Sequence, residues 1–118
     1  MNAQRVVRIR RPRAADFAAD ADATATVYLA SRRAMLPNLR DPHSEVETRA
    51  WMRDTAFARY SVRLAEIDGE IVAFSARDGA WLMQLYVQPD WTGRGIGSKL
   101  LELVLAEAAA GGRRRVIP

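Results

Sequence analysis

The stretch LYVQPDWTGRGIGSKLL, residues 85–101, shows how the rest of the chain is organised. It begins with an apolar run typical of a strand, turns at Pro89, and carries three alternate glycines before an apolar-periodic helix begins. Glycine allows positive φ and close approach of the backbone to a ligand, and the first turn of a helix presents N–H groups without intrahelical partners. With the positive end of the helix dipole, this layout predicts a site for an anionic group such as a phosphate.

The glycine spacing excludes two common phosphate-binding patterns. A Walker loop requires Gly-x-x-x-x-Gly-Lys-Ser/Thr, but here Ser98 separates Gly97 from Lys99. A dinucleotide fingerprint requires Gly-x-Gly-x-x-Gly after the first strand, whereas this chain has Gly-x-Gly-x-Gly late in its sequence. A different phosphate-binding turn is therefore expected.

Periodicity and turn residues predict the other elements. Asp16 is a good N-cap for the first helix, Ser44 and Glu47 match a capping box for the second, and Asp68-Gly69 is a strong hairpin signal. The predicted order is a strand over 5–10, helices over 17–35 and 45–59, strands over 60–67, 70–77 and 81–87, a helix from 96 to a stop at Gly111-Gly112, and a short strand after 113.

Apolar spacing also predicts which side of each helix is buried. The residues expected in the core are Phe17, Val27, Tyr28 and Leu29 from the first helix, Val46, Ala50, Trp51 and Phe57 from the second, and Ile96, Leu100, Leu101, Val104 and Ala108 from the third.

Composition limits the classes of function. The chain has 118 residues, enough for a single domain over 1–118. It has no cysteine and one histidine, so we expect neither disulfides nor a metal site. No apolar run approaches the roughly 18 residues of a membrane span, and the N-terminus does not resemble a signal peptide, so the expected location is cytoplasmic.

The net charge of +4 comes almost entirely from arginine. The arginines are scattered, and their two dense clusters lack the interleaved aromatic residues that stack on bases, which disfavours nucleic acid as a partner. Attraction of an anionic cofactor is the simpler interpretation.

With Val87-x-Pro89 before it and an amphipathic helix after it, the segment Gly93-Arg94-Gly95-Ile96-Gly97 resembles the pyrophosphate-binding motif of the GCN5-related N-acetyltransferases, the GNAT family. The order of predicted elements agrees with that family along the whole chain. The resemblance implies an α+β fold in three layers: a mixed, mostly antiparallel sheet with helices on both faces.

The resemblance implies acetyl-CoA as the cofactor. The family's motif, Gln/Arg-x-x-Gly-x-Gly/Ala, lies over 92–97, with Thr92 where the family usually has Gln or Arg. Backbone amides here would hold the pyrophosphate, and the end of the preceding strand would pair with the pantetheine arm. The expected cofactor-binding residues are Leu85, Tyr86, Val87, Thr92, Gly93, Arg94, Gly95, Ile96, Gly97, Ser98 and Lys99.

The family's reaction is transfer of the acetyl group from acetyl-CoA to a primary amine, of a small molecule or a protein, by direct attack. Many members carry an acidic residue just before the Leu-Tyr-Val run, where this chain has Met83 and Gln84; Gln84 can orient a water and is the catalytic candidate. His43, Glu45 and Glu66 are conceivable bases. The alternative function is a non-catalytic acyl-CoA-binding module or a degenerate enzyme fragment.

The acceptor pocket is expected between the loop 35–43 and the second helix. Its candidate residues are Met35, Leu36, His43 and Trp51. The family's C-terminal part, from the fifth strand onward and including its usual tyrosine acid, is expected to be truncated here. Strand 81–87 would then present an unpaired edge, which predicts a homodimer.

Overall fold

The computed structural model describes residues 6–38, 40 and 42–110, which form an α+β fold of four strands and three main helices. The predicted strand after 113 and the helix stop at Gly111-Gly112 lie outside the described residues. The elements are β1 (Arg8–Arg10), α1 (Phe17–Met35), α2 (Glu45–Trp51, continued by a π turn, Met52–Ala56, and a last turn, Phe57–Arg59), β2 (Ser61–Ile67), β3 (Glu70–Asp78), β4 (Trp81–Val87) and α3 (Ile96–Ala110).

The described strands form one sheet in the order β1-β2-β3-β4, and every neighbouring pair is antiparallel. The hairpin between β2 and β3 turns at Asp68 and Gly69, whose φ values are 52° and 81°. A tight two-residue turn needs positive φ at both positions, which explains why Asp-Gly is a reliable signal. The predicted hairpin is confirmed.

Helices cover both faces of the sheet, so β2 and β3 are buried almost throughout. On one face, Leu64 and Phe74 pack with residues of α1 and α2, including Val27 and Met52. The opposite face packs against α3 through Ile96 and Leu100. This three-layer arrangement is the predicted fold class.

Two predictions about helix starts have different outcomes. Ser44 and Glu47 form the predicted capping box: the Ser44 hydroxyl accepts from the Glu47 N–H at 3.1 Å, and the Glu47 carboxylate accepts from the Ser44 N–H at 3.3 Å. Asp16 occupies the N-cap position of α1, but its side chain makes no cap hydrogen bond. A 3₁₀ turn, Ala14–Asp16, precedes the helix, and Asp20 instead accepts from the Arg13 N–H at 3.0 Å.

The predicted buried side of α2 is wrong at two positions. Val46 is 77% exposed and Trp51 is 38% exposed. The buried side chains are Thr48, Met52 and Ala56, spaced four residues apart. The π turn over Met52–Ala56 accounts for the last of these spacings, because its i→i+5 hydrogen bonds place more residues in each turn than an α-helix has.

An ion-pair cluster joins β1, α1 and β2. Arg10 forms two hydrogen bonds to the Asp20 carboxylate, at 2.8 and 2.9 Å, and one to Glu66 at 3.1 Å. Asp20 is buried, and the Arg10 guanidinium holds the pKa of its carboxyl below the ordinary value. The cluster fixes the short first strand against the rest of the fold.

We expect Asp20→Asn to lower the free energy of unfolding by about 3 kcal/mol, because it leaves Arg10 partly unpaired in a buried place. The exposed pair Arg53–Asp54 offers a matched control, and Asp54→Asn should cost much less, because solvent screens an exposed ion pair. Urea unfolding measures both.

The same experiment at several pH values tests the electrostatic cause. Because folding lowers the Asp20 pKa from 3.8, its contribution is complete above that value and is lost as the pH falls through the folded-state pKa. The difference between wild type and Asp20→Asn should therefore be constant near neutral pH and shrink below about pH 4. A difference independent of pH down to acid unfolding would contradict this account.

Candidate functional site

The glycine turn between β4 and α3 has the backbone that its sequence predicts. A 3₁₀ turn, Pro89–Trp91, follows β4, and α3 begins at Ile96. Gly93 and Gly95 have φ values of 76° and 81°, in the left-handed region that favours glycine. A Cβ at either position would meet no atom within 4 Å, so conformation and not crowding requires glycine there.

The amides after this turn form an array of unused donors. Within the described residues, none of the amides of 93–98 donates a hydrogen bond to a backbone carbonyl. The first amide that donates one is that of Lys99, whose partner is the Gly95 carbonyl at 3.1 Å. Several successive N–H groups beside the positive end of a 15-residue helix suit a phosphate group.

Gly97 serves a different purpose from the other two glycines. It lies in the first turn of α3, and a Cβ there would approach Val87 Cγ2 to 3.5 Å and Leu85 Cδ2 to 3.6 Å. These are ordinary contact distances, so the first turn of α3 packs directly against the end of β4. The donor array and this strand end therefore lie next to each other.

Backbone groups of β4 face the edge of the sheet away from β3. The Gln88 N–H donates to the Val72 carbonyl at 2.7 Å, and Val87 is opposite Ala73. In an antiparallel ladder this makes Val87 a non-hydrogen-bonded position, so Val87 and Leu85 direct their N–H and C=O groups away from β3. The Val87 carbonyl accepts from the buried Ser31 hydroxyl on α1 at 2.8 Å.

Tyr86 differs from its two neighbours. Its backbone is opposite Phe74 and, by the alternation of the ladder, is directed towards β3. Its ring packs edge-on against Tyr28 of α1, with ring centroids 5.2 Å apart. Burial raises the pKa of its phenol above the ordinary value. The structure thus gives the Tyr86 backbone no access to the open edge, contrary to the expectation that all three strand residues contact a ligand there.

A β-bulge interrupts β4 at Met83. Gln84 is opposite Ala76, but Leu82 is opposite Arg77, so Met83 is one extra residue. The bulge changes the alternation of side chains. Leu82 packs against α3 while Gln84 lies on the face covered by α1 and α2. The sequence beside Met83 contains no glycine or turn residue that would predict this bulge.

Gln84 helps to line a cleft of about 400 Å³ between α1, α2 and β4, called here the α1–α2–β4 cleft. Of the side chains expected in an acceptor pocket, His43 and Trp51 line it. Met35 and Leu36 do not: they lie at the C-terminal end of α1 and are 61% and 45% exposed. The lining residues are Tyr28, His43, Glu47, Thr48, Trp51 and Gln84.

Two polar side chains of this cleft, Glu47 and Gln84, differ in charge and in hydrogen bonding. Hydrogen bonds from Ser44, followed by the nearby His43, lower the pKa of Glu47, whose side chain is therefore a carboxylate at neutral pH. The Gln84 Oε1 atom is buried and has no hydrogen-bond partner among the described residues.

The three conceivable bases lie in different places. Glu45 is paired with Arg49 at 2.9 Å. Glu66 lies on β2 and is paired with Arg10 of β1; β3 separates β2 from β4. His43 alone among them lines the cleft.

The other side chains expected to bind the cofactor surround the glycine turn. The Thr92 hydroxyl donates to the Pro89 carbonyl at 2.9 Å, so it stabilises the turn. The Arg94 guanidinium lies 4.8 Å from the centroid of the Trp91 ring. Ser98 and Lys99 are exposed in the first turn of α3, beside the amide array.

The described residues contain no group of three or more His, Asp or Glu side chains placed to hold a metal ion. No helix in this part of the chain is long and apolar enough to cross a membrane.

Comparison with known proteins gives a consistent family. The model of the Acetyltransferase (GNAT) family matches residues 23–117. An uncharacterized N-acetyltransferase of Archaeoglobus fulgidus is 39% identical over 64 residues, which are 45% of this chain and 44% of that protein. The match therefore spans less than half of this relative's length.

Solved structures share the fold at low sequence identity. A GNAT family acetyltransferase from Brucella melitensis, in complex with acetyl-CoA, has a TM-score of 0.69 and 24% identity; the match covers 94% of this chain and 73% of that one. A GCN5-related N-acetyltransferase from Rhodopseudomonas palustris has a TM-score of 0.66 and 23% identity, with 93% and 69% covered.

The different roles of Gly95 and Gly97 predict opposite effects of alanine. Gly95→Ala should lower the free energy of unfolding by about 1–2 kcal/mol, because alanine is strained at positive φ. Gly97→Ala should leave it unchanged or raise it by under about 1 kcal/mol, because a methyl group there makes ordinary contacts in a helix. Urea unfolding of both variants checks this, and equal losses would refute the assigned backbone roles.

Proposed function

Since the chain belongs to the GNAT acetyltransferase family, we propose that it transfers the acetyl group of acetyl-CoA to a primary amine by direct attack. The observation that carries the proposal is the meeting of two sets of backbone groups. The outward-directed groups of Leu85 and Val87 suit an extended arm with amides, and the amides of 93–98 beside them suit a pyrophosphate. CoA carries both parts in one molecule.

The residues fit this cofactor in their chemistry. Leu85 and Val87 would pair with the pantetheine arm as a further strand does, and the turn amides would hold the phosphates. Arg94, Ser98 and Lys99 would add side-chain contacts around them. When bound, acetyl-CoA supplies the activated acetyl thioester.

The α1–α2–β4 cleft is the proposed site of the acceptor amine. It reaches β4 at Gln84, the residue directly before Leu85, so acceptor and cofactor would meet on adjacent residues of one strand. Holding the two reactants together lowers the barrier without a covalent intermediate. Gln84 cannot accept a proton, and its proposed part is to orient the amine or a water through its carboxamide.

A second candidate function is a non-catalytic acyl-CoA-binding module. It is favoured by the absence of a proton-accepting side chain at Met83 and Gln84. Both candidates use the same cofactor site, so they differ only in turnover.

We expect acetyl-CoA at 100 times its Kd to raise the Tm by about 10 °C, as ligand linkage requires for a domain of this size. Gly95→Asp should abolish the shift, because it places a carboxylate beside the phosphates. Gly69→Asp is the matched control: Gly69 has the same φ of 81° and equally open surroundings, but lies in the β2–β3 hairpin. That variant should lose stability yet keep the shift.

Two results would separate or reject the candidates. Release of free CoA thiol with an amine supports the enzyme, whereas a thermal shift without thiol release supports the binding module. No shift in the wild type, or an undiminished shift in Gly95→Asp, would overturn the cofactor assignment.

We also propose that two copies of the chain associate as a homodimer through the first half of β4, residues 81–83, which leaves the edge at Leu85 and Val87 to the cofactor. In the described residues β4 is an edge strand, and Met83 at its bulge is exposed. Exposed edges are normally covered or blunted. Sedimentation at micromolar concentration should give twice the chain mass of 13.2 kDa, and a monomer would reject the proposal.

A further inference from the structure

We infer that the α1–α2–β4 cleft selects a small primary amine with one positive charge and a flat aromatic body. The inference rests on the proposed acetyl transfer, for which it names the class of acceptor. Three independent features of the cleft carry it: its charge, its aromatic walls and one buried acceptor atom.

The charge of the cleft suits a monocation. Among the described residues that line it, Glu47 is the single carboxylate and none is lysine or arginine. The Glu47 carboxylate is held by the Ser44 N–H and lies 3.6 Å from His43 Nδ1. Arg49, on the same helix, is balanced by Glu45 and Asp22 at 2.9 and 2.6 Å. One carboxylate attracts one ammonium group, whereas a polyamine or an aminosugar would need several.

Two aromatic side chains, Tyr28 and Trp51, line the cleft, and each is held by a second ring. Tyr86 packs edge-on against Tyr28 with centroids 5.2 Å apart, and Tyr60 lies 6.3 Å from Trp51. Rings held in this way present fixed faces to a ligand. A flat aromatic body gains buried area and ring contacts beside them. The Arg32 guanidinium already lies 5.7 Å from the centroid of the Tyr28 ring, so the π face that attracts a ligand ammonium is that of Trp51.

The Gln84 carboxamide provides a position for the amine nitrogen. Its buried oxygen has no hydrogen-bond donor among the described residues, an arrangement that proteins normally avoid. The ammonium group attracted into the cleft would first release a proton to solvent. An N–H of the neutral amine would then supply the donor, once the Gln84 carboxamide rotates to bring its oxygen into the cleft. Because Gln84 directly precedes Leu85, the nitrogen would lie next to the expected cofactor arm.

The cleft volume is consistent with a small ligand. At about 400 Å³ it lies near the lower end of the roughly 300–1,000 Å³ typical of small-molecule sites. This size accommodates one ring with a short aminoalkyl chain better than an extended peptide.

The test compares kcat/KM in thiol release for four amines: 2-phenylethylamine, 2-cyclohexylethylamine, spermidine and an unblocked alanine tripeptide. The cyclohexyl compound matches the first in length and charge and differs in aromaticity. We expect kcat/KM for 2-phenylethylamine to be about fivefold higher than for the cyclohexyl compound, a ratio within the range that one aromatic contact contributes. Its advantage over spermidine and the peptide should be larger.

Variants of Trp51 assign the preference to the cleft. Trp51→Leu should remove the advantage of the phenyl over the cyclohexyl compound, while Trp51→Phe should retain most of it. Gln84→Leu should raise KM for 2-phenylethylamine about tenfold, equivalent to one hydrogen bond at about 1.4 kcal/mol, and leave the acetyl-CoA thermal shift unchanged.

Calorimetric titration of 2-phenylethylamine into the chain with CoA present keeps the inference separate from the proposed function. Preferred turnover of spermidine or the peptide would overturn the inference and leave acetyl transfer intact. If no amine releases thiol, acetyl transfer fails, and the titration decides the inference: binding that Trp51→Leu weakens and Trp51→Phe preserves supports it, and no binding overturns it.

Discussion

Unpaired backbone hydrogen-bonding groups at the junction of β4 and α3 are the constraint on which the candidate site depends. Gly93 and Gly95 hold the turn in a conformation that leaves successive N–H groups without backbone partners. At Gly97 the first turn of α3 packs against Leu85 and Val87, whose own backbone groups face the open edge of β4. The Val87 carbonyl already accepts from Ser31, and the exposed turn amides are open to solvent. A ligand with an amide arm and phosphates would pair with these groups in place of water.

The remainder of the fold holds this junction in place. The two helix layers bury β2 and β3 from both sides, and Ser31 of α1 reaches the Val87 carbonyl. The bulge at Met83 then directs Gln84 towards the opposite layer from α3. As a result, β4 contributes to both proposed sites. Its open edge lies beside the cofactor site, and one of its faces lines the acceptor site. The support is stronger for binding than for proton transfer, since neither Met83 nor Gln84 can take up a proton.

Local features were predictable from the sequence, and features that depend on distant contacts were not. Asp68-Gly69, the Ser44–Glu47 capping box and the glycine turn each depend on the conformations and hydrogen bonds of a few adjacent residues. The π turn in α2 depends on how Met52 and Ala56 pack against the sheet, which apolar periodicity does not report. Apolar periodicity places Val46 and Trp51 in the core, whereas both are exposed. Likewise, residues of three separate elements combine only in the folded chain to form the cleft.

Backbone NMR of the ¹⁵N-labelled chain titrated with acetyl-CoA tests the central claim most directly. The account predicts large amide shifts at Leu85, at Val87 and across 93–98, with a much smaller shift at Tyr86, whose N–H faces β3. Gly95→Asp should abolish these changes, and Gly69→Asp should not. Amide shifts confined to other surfaces, or equal shifts at residues 85, 86 and 87, would contradict the assignment of the open edge and the glycine turn as the cofactor site.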